Sequence, residues 1–179
     1  MHAFTKQYSE VAVPKLKELK KYASVYQIPR VEKVVLNVGI GSLQGNGKAI
    51  EEVAATLAAI TGQKPIITKA TKAISGFKVR QGMDVGMKVT LRGTRMNDFL
   101  IKLTQIALPR TRDFRGIKPS SVATNGSLHL GIKDCTIFPE ANQDTASHGI
   151  QVSVVVTPCT SEEAHALYGA LGFVFQSNQ

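Results

Sequence analysis

Tryptophan is absent from this 179-residue chain, cysteine occurs only as Cys135 and Cys159, and aromatic residues make up 6%. No CxxC pair and no histidine at metal-ligand spacing accompanies the cysteines, so neither a disulfide scaffold nor a zinc site is indicated. Two reduced thiols in or near the core are expected. No apolar run approaches the ~18 residues that a spanning helix needs. The opening Met1-His2-Ala3-Phe4-Thr5-Lys6-Gln7-Tyr8 lacks the apolar stretch of a secretory signal, which predicts no membrane partner and a cytoplasmic location. Paired acids at helical spacing and clustered histidines are missing too. His2, His129, His148 and His165 are scattered, and Glu51-Glu52 and Glu162-Glu163 are adjacent pairs that a helix points in different directions, so no catalytic group is expected.

What is present in excess is positive charge. The chain has 22 Lys/Arg against 13 Asp/Glu, a net +9, and a pI near 9.7. Its distribution is uneven: 8 basic and 5 acidic residues in 1–60, 13 and 3 in 61–118, and 1 and 5 in 119–179, or +3, +10 and −4. Charge serving solubility alone is interspersed along a chain. A +10 block beside a −4 block points to a face built for phosphates, with a simple solvated surface as the plainer reading.

Hydrophobic periodicity supplies the elements. Residues Ser9 to Lys21 place Val11, Leu16 and Leu19 among lysines, a basic amphipathic helix that accepts Pro14 in its first turn. Val34, Leu36 and Val38 alternate with Lys33 and Asn37 in a strand with one outward face. Ile50, Val53, Leu57 and Ile60 recur at steps of three and four between Lys48 and Thr61, and Gly62 stands where a helix stops. Strands are predicted at Pro65 to Lys69 and Gly86 to Arg92, the second carrying Lys88, Thr90 and Arg92 on its polar face. Thr94 is placed to cap a helix running from Arg95 towards Ile106, ended by Pro109 and followed by a basic loop. Further strands are expected at Leu128 to Ile132, Thr136 to Phe138 and Ile150 to Thr157, and a last helix from Ser161 to Leu171. The order implies an α+β fold of the split βαβ kind, a mainly antiparallel sheet with helices on one face and the other face open to RNA. No repeat or linker divides the chain, so one domain over 1–179 is expected.

The glycine-rich run Gly39 to Ala49 sits between strand and helix, where nucleotide loops sit. A P-loop ending at Lys48 requires glycine at Ser42 and a hydroxyl residue at Ala49, and the dinucleotide pattern requires glycine at Gln44. Nucleotide chemistry, and with it any cofactor, is therefore not expected; unusual backbone angles or close backbone approach explain the glycines better. The strongest functional signal lies between Lys64 and Arg95, where eight basic residues accompany one acid, Asp84. Within it Gly76-Phe77-Lys78-Val79-Arg80-Gln81-Gly82 alternates charge with apolar bulk, so Lys78 and Arg80 share one side and Phe77 and Val79 the other. A basic finger over about 71–86 is one reading; a solvated hairpin with Phe77 and Val79 in the core is the other. With so few aromatics, phosphate contact and shape are expected to outweigh base stacking.

Several linked strings resemble the family of bacterial large-subunit ribosomal protein five. They are Pro29-Arg30-Val31-Glu32-Lys33 through Leu36-Asn37-Val38-Gly39, Gly62-Gln63-Lys64-Pro65 with Ile67-Thr68-Lys69-Ala70, Gly76 to Gly82, Lys88-Val89-Thr90-Leu91-Arg92-Gly93, Pro109-Arg110 with Arg112-Asp113-Phe114-Arg115-Gly116, and Ile137-Phe138-Pro139-Glu140. The resemblance spans about residues 8–175. It implies a non-enzymatic component of the central protuberance that holds 5S rRNA against 23S rRNA, with no small-molecule substrate. The RNA face it implies comprises Lys33, Asn37, Gln63, Lys64, Thr90 and Arg92, to which Lys69, Lys72 and Lys88 add charge. By the same resemblance, Gly76 to Gly82 reaches peptidyl-site tRNA, and the loop with Arg110, Arg112, Asp113, Phe114 and Arg115 lies near small-subunit head protein thirteen at an intersubunit bridge. Two places depart from the family pattern: Thr71-Lys72-Ala73 stands where a basic residue, Lys and Ser are usual, and Met83-Asp84 puts an acid beside the finger. An RNA-binding accessory factor acting off the ribosome is the alternative.

Overall fold

The computed structural model describes residues 3–43, 46–141 and 148–176. Its helices are α1 (Ala3–Gln7), α2 (Val13–Leu19), α3 (Gly47–Thr61), α4 (Gly93–Lys102), α5 (Leu108–Arg110) and α6 (Ser161–Ala170). The strands β1 (Val31–Gly39), β2 (Ile66–Lys69), β3 (Asp84–Leu91), β4 (Leu128–Ile132) and β5 (Ile150–Val156) form one sheet in the order β2-β3-β1-β5-β4. This is the expected α+β architecture. The chain divides into two compact units, one of Met1–Val34, Leu91–Leu130 and Ser153–Gln179, the other of Val35–Thr90 and Gly131–Val152. No helix among the described residues is long and apolar enough to cross a membrane.

In the first unit, two helical runs carry a proline and resolve it in the same way. A π turn at Tyr8–Ala12 joins α1 to α2, and another at Leu103–Ala107 joins α4 to α5. Val13 N–H donates to Tyr8 O, and Leu108 N–H to Leu103 O, five residues back, each just before Pro14 or Pro109. Proline lacks an N–H and its ring clashes with the carbonyl four residues earlier, so one widened turn shifts that carbonyl aside and lets the helix continue. Pro14 is therefore not in a first turn of the helical run, and Pro109 does not end its helix, which runs on to Arg110. Thr94 is not the cap either: Arg92 holds that position without a side-chain bond, and Thr94 lies inside α4.

Phe4, Leu16, Ile28, Phe99, Leu103 and Tyr168 are among the buried side chains of this unit. The Tyr168 hydroxyl donates to Gly126 O at 2.9 Å, and its ring meets Phe173 edge to face at 5.5 Å. Burial pushes the Tyr168 phenol well above its ordinary range, so it stays a neutral donor. Helix α6 begins with a full capping box. Thr160 Oγ1 accepts from Glu163 N–H, while Glu163 Oε2 accepts from Thr160 N–H at 2.9 Å.

In the second unit, α3 buries Val53, Leu57 and Ile60, the stripe its periodicity predicts. Asn46 caps it by accepting from Ala49 N–H at 3.2 Å, and Gly62 closes it in the left-handed region at φ 66°. Thr136 to Phe138 is not a strand: Cys135–Ile137 forms a 3-10 turn closed by Phe138 N–H on Cys135 O at 3.1 Å. That short run buries Cys135 and Phe138 with a turn and extends no ladder. Both cysteines are free, Cys135 buried and Cys159 half-buried. The described glycines of the 39–47 run, Gly39, Gly41 and Gly47, do not have the expected unusual angles, and the open space beside each leaves the expected close approach to another surface as the remaining reading. None has a positive φ, and an added Cβ at each meets only open space. Gln44 and Gly45 lie outside the described residues.

Candidate nucleic-acid interface

In the second unit, alternation along β3 buries Met87 and Val89 and turns Lys88 and Thr90 to the other side. Strand β1 does the same with Leu36 and Val38 buried and Asn37 exposed. The antiparallel register pairs Ile66 with Lys88 and Thr68 with Gly86, so Ile66 and Thr68 share the outward face with Lys88. Neither stands out in the sequence, because the pairing of β2 with β3 that places them is not visible along the chain. Ile66 is 63% exposed.

Gln63 reaches this face through the end of α3. After Gly62 turns the chain, Gln63 N–H donates to Thr61 Oγ1 at 3.3 Å and Gln63 Nε2 donates to Thr90 O, also at 3.3 Å. The side-chain oxygen of Gln63 stays available as an acceptor. Lys64 is exposed beside it, as are Lys69 and Lys72 further on. The pairing then slips: Thr68 faces Gly86 and Lys69 faces Asp84, leaving Val85 as an extra residue whose carbonyl accepts from Ile40 N–H at 3.1 Å. This bulge puts Asp84, the one acid of the basic segment, directly across from Lys69. Seven of the nine anticipated RNA-face residues thus lie in this unit; half-exposed Lys33 and exposed Arg92 belong to the first.

The finger is a hydrogen-bonded hairpin. Ala70 N–H donates to Met83 O at 2.8 Å and Gly82 N–H to Ala70 O at 2.9 Å across its base, and Ile74 and Val79 exchange both backbone bonds nearer the tip. Ser75–Phe77 forms a 3-10 turn and Lys78 takes the left-handed conformation at φ 53°, which breaks the simple alternation of Phe77 to Arg80. Phe77 is 77% exposed and Val79 only half-buried, so the pair does not form core; Lys78, Arg80 and Gln81 are exposed around them.

In the first unit, Arg110 at the end of α5 and Arg112, Asp113 and Arg115 in the loop after it are exposed, and Phe114 is half-buried. Gly116, at φ 98°, passes so close to the 175–176 backbone that a Cβ would lie 2.9 Å from Gln176 N. The helical lysines are not equivalent. Lys15, Lys17 and Lys21 are exposed, but Lys20 Nζ pairs with Glu163 Oε1 at 3.0 Å. The described histidines have structural neighbours: His129 Nδ1 lies 2.9 Å from Ser153 Oγ, His148 Nδ1 3.6 Å from Cys135 Sγ, and His165 stacks edge-on to Phe175. Among the described residues no group of three or more His, Cys, Asp or Glu could hold a metal ion.

The arrangement offers lysines for phosphates and Asn37, Gln63 and Thr90 for shape-dependent hydrogen bonds. Residues 24–80 match the family model of ribosomal protein L5, and residues 84–175 match the model of that ribosomal family's C-terminus. The large ribosomal subunit protein uL5 of Acaryochloris marina is 48% identical over 173 residues, 96% of this chain and 96% of that protein. The uL5 protein of Symbiobacterium thermophilum is 50% identical over 173 residues, again 96% of each, and that of Syntrophomonas wolfei 47% over 171 residues, 94% and 96%.

Proposed function

The chain belongs to the ribosomal protein L5 family, and from that premise we propose that it binds 5S rRNA and attaches it to 23S rRNA in the central protuberance. It is a structural constituent of the large ribosomal subunit and not an enzyme. The observation that carries the RNA assignment is the outward face of the second unit, where Asn37, Lys88 and Thr90 stand on adjacent strands β1 and β3 and Gln63 is tied to Thr90 O at 3.3 Å. Lysines supply sequence-independent attraction, and the polar groups held by backbone geometry supply selectivity for a folded RNA. The finger from Gly76 to Gly82, exposed but for Val79, contacts peptidyl-site tRNA in this reading. The loop carrying Arg110, Arg112, Asp113, Phe114 and Arg115 meets small-subunit head protein thirteen at an intersubunit bridge.

Binding to 5S rRNA and to an unrelated RNA of equal length, measured across a salt series, tests the assignment. The wild-type chain should prefer 5S rRNA. A Lys64→Ala/Lys88→Ala double variant should weaken binding and flatten the log-log salt slope by about 1–2, one phosphate contact being worth about 0.7–0.9. Asn37→Ala should instead erode the preference with little change in slope. Equal binding to both RNAs would leave only a basic protein and return the accessory-factor reading.

A further inference from the structure

The most exposed large apolar side chain of the described residues is one the RNA face does not use. Tyr26 is 92% exposed, and Val25 beside it 61% exposed. They sit on a 3-10 turn, Val25–Gln27, between α2 and β1. That turn is fastened within itself: Gln27 N–H donates to Ser24 O at 3.1 Å, Ile28 N–H to Val25 O at 3.2 Å, Tyr26 N–H to Ser24 Oγ at 3.4 Å and Ala23 N–H to Gln27 Oε1 at 3.2 Å.

It is also fastened at both ends. Upstream, the Tyr22 hydroxyl donates to Glu163 Oε1 at 2.9 Å. Downstream, Ile28 and Pro29 are buried, Tyr8 donates to Pro29 O at 3.1 Å, and Arg30 and Thr157 exchange bonds of 3.0 Å. The backbone that bears the ring is fixed before it meets a partner, which reduces the backbone entropy lost on binding. The charge in its segment favours a nucleic acid over a protein: from Leu19 to Val31 the chain carries no acid, and besides Lys20, which is paired with Glu163, it carries Lys21 and Arg30. Exposed Lys15 and Lys17 on α2 lead into the same segment.

We infer that Tyr26 is a stacking platform for an unpaired nucleobase of 5S rRNA, with Lys21 and Arg30 serving the adjacent backbone phosphates. The inference rests on the RNA-binding reading above and adds a contact outside the sheet face. A tyrosine ring suits this role because every base has a π face, and one such contact is worth about 1–3 kcal/mol. Tyr26→Phe keeps the stacking surface, whereas Tyr26→Ala removes it.

The test measures 5S rRNA affinity for the full chain, Tyr26→Ala and Tyr26→Phe, together with intrinsic tyrosine fluorescence. The chain has no tryptophan to mask that signal, and Tyr26 is the one exposed ring among its four tyrosines. Wild-type emission should fall on adding 5S rRNA. Tyr26→Phe should bind within about twofold of wild type without that fall, and Tyr26→Ala should lose about 5- to 150-fold. The salt slope should be unchanged in both variants, since no charge is removed. Thermal melts of both variants should overlay the wild type, because Tyr26 packs against almost nothing. Wild-type affinity in Tyr26→Ala overturns the inference and leaves the ring for a protein partner. Failure of the wild-type chain itself to select 5S rRNA overturns the underlying reading first, and the two failures are distinguishable.

Discussion

The Tyr22 hydroxyl and the Glu163 carboxylate, 141 positions apart in sequence, meet at 2.9 Å and pin the end of the N-terminal helical run to the first turn of α6. Burial by itself raises the Glu163 pKa, but bonds from Thr160, Lys20 and Tyr22 outweigh it and hold the carboxyl at about 2. Burial, together with the bond to Glu163, pushes Tyr22 up to about 12. A carboxylate depressed on folding contributes stability above its unfolded value, ordinarily 4.5, and loses that contribution as pH falls towards about 2. Glu163→Gln should therefore cost about 1–2 kcal/mol at neutral pH and flatten the acid limb of the stability curve between about pH 4.5 and pH 2. Urea titrations at several pH values check this; equal acid limbs in the two proteins would exclude Glu163 as a source of acid sensitivity.

Gly86 leaves no room for a side chain. A Cβ there would lie 2.9 Å from Thr68 Oγ1 and 3.1 Å from Val38 O. Gly86→Ala should destabilise the chain by about 1–3 kcal/mol. Adding Thr68→Ala should recover part of that loss, since the hydroxyl is one of the two obstructions and the carbonyl remains. A double-mutant cycle in urea measures the coupling.

Phe77 separates two views of the finger. Because its ring is 77% exposed, Phe77→Ala should change folding stability by no more than about 0.5 kcal/mol. The same substitution should reduce retention of peptidyl-site tRNA by large subunits carrying the variant. A loss of several kcal/mol on denaturation would instead mean that the ring packs in the core.

Burial, reinforced by the negative charge of Glu163, raises the Cys159 thiol above its ordinary pKa. Cys135 is fully buried. Alkylation followed by mass spectrometry should therefore find both thiols slow at neutral pH, with Cys159 speeding up in Glu163→Gln once the neighbouring charge is gone.

Much of the fold is readable along the chain because it depends on local periodicity. The stripe of Val53, Leu57 and Ile60, the stop at Gly62, and the alternation of Met87, Val89 and Leu91 with Lys88 and Thr90 each follow from one element meeting one core. The basic segment from Lys64 to Arg95 is equally plain, since charge composition needs no coordinates. Prolines mislead where a helix has a less costly alternative than stopping: ahead of Pro14 and Pro109, one widened turn keeps the flanking apolar residues packed. Phe77 misleads for a related reason, because left-handed Lys78 interrupts the alternation that would have paired it with Val79.

Most of the long helices and strands, which of their faces are apolar, and where positive charge concentrates are written in the linear chain, since each depends on neighbours a few residues away; the short turn at Cys135–Ile137 is not. Three outcomes had to wait for the folded molecule: Ile66 and Thr68 share a face with Lys88, Lys20 is paired with Glu163, and Tyr26 stands outward on a fastened turn. They depend on register and on bonds between residues far apart in the chain. Many arrangements satisfy the local pattern, and packing selects one of them.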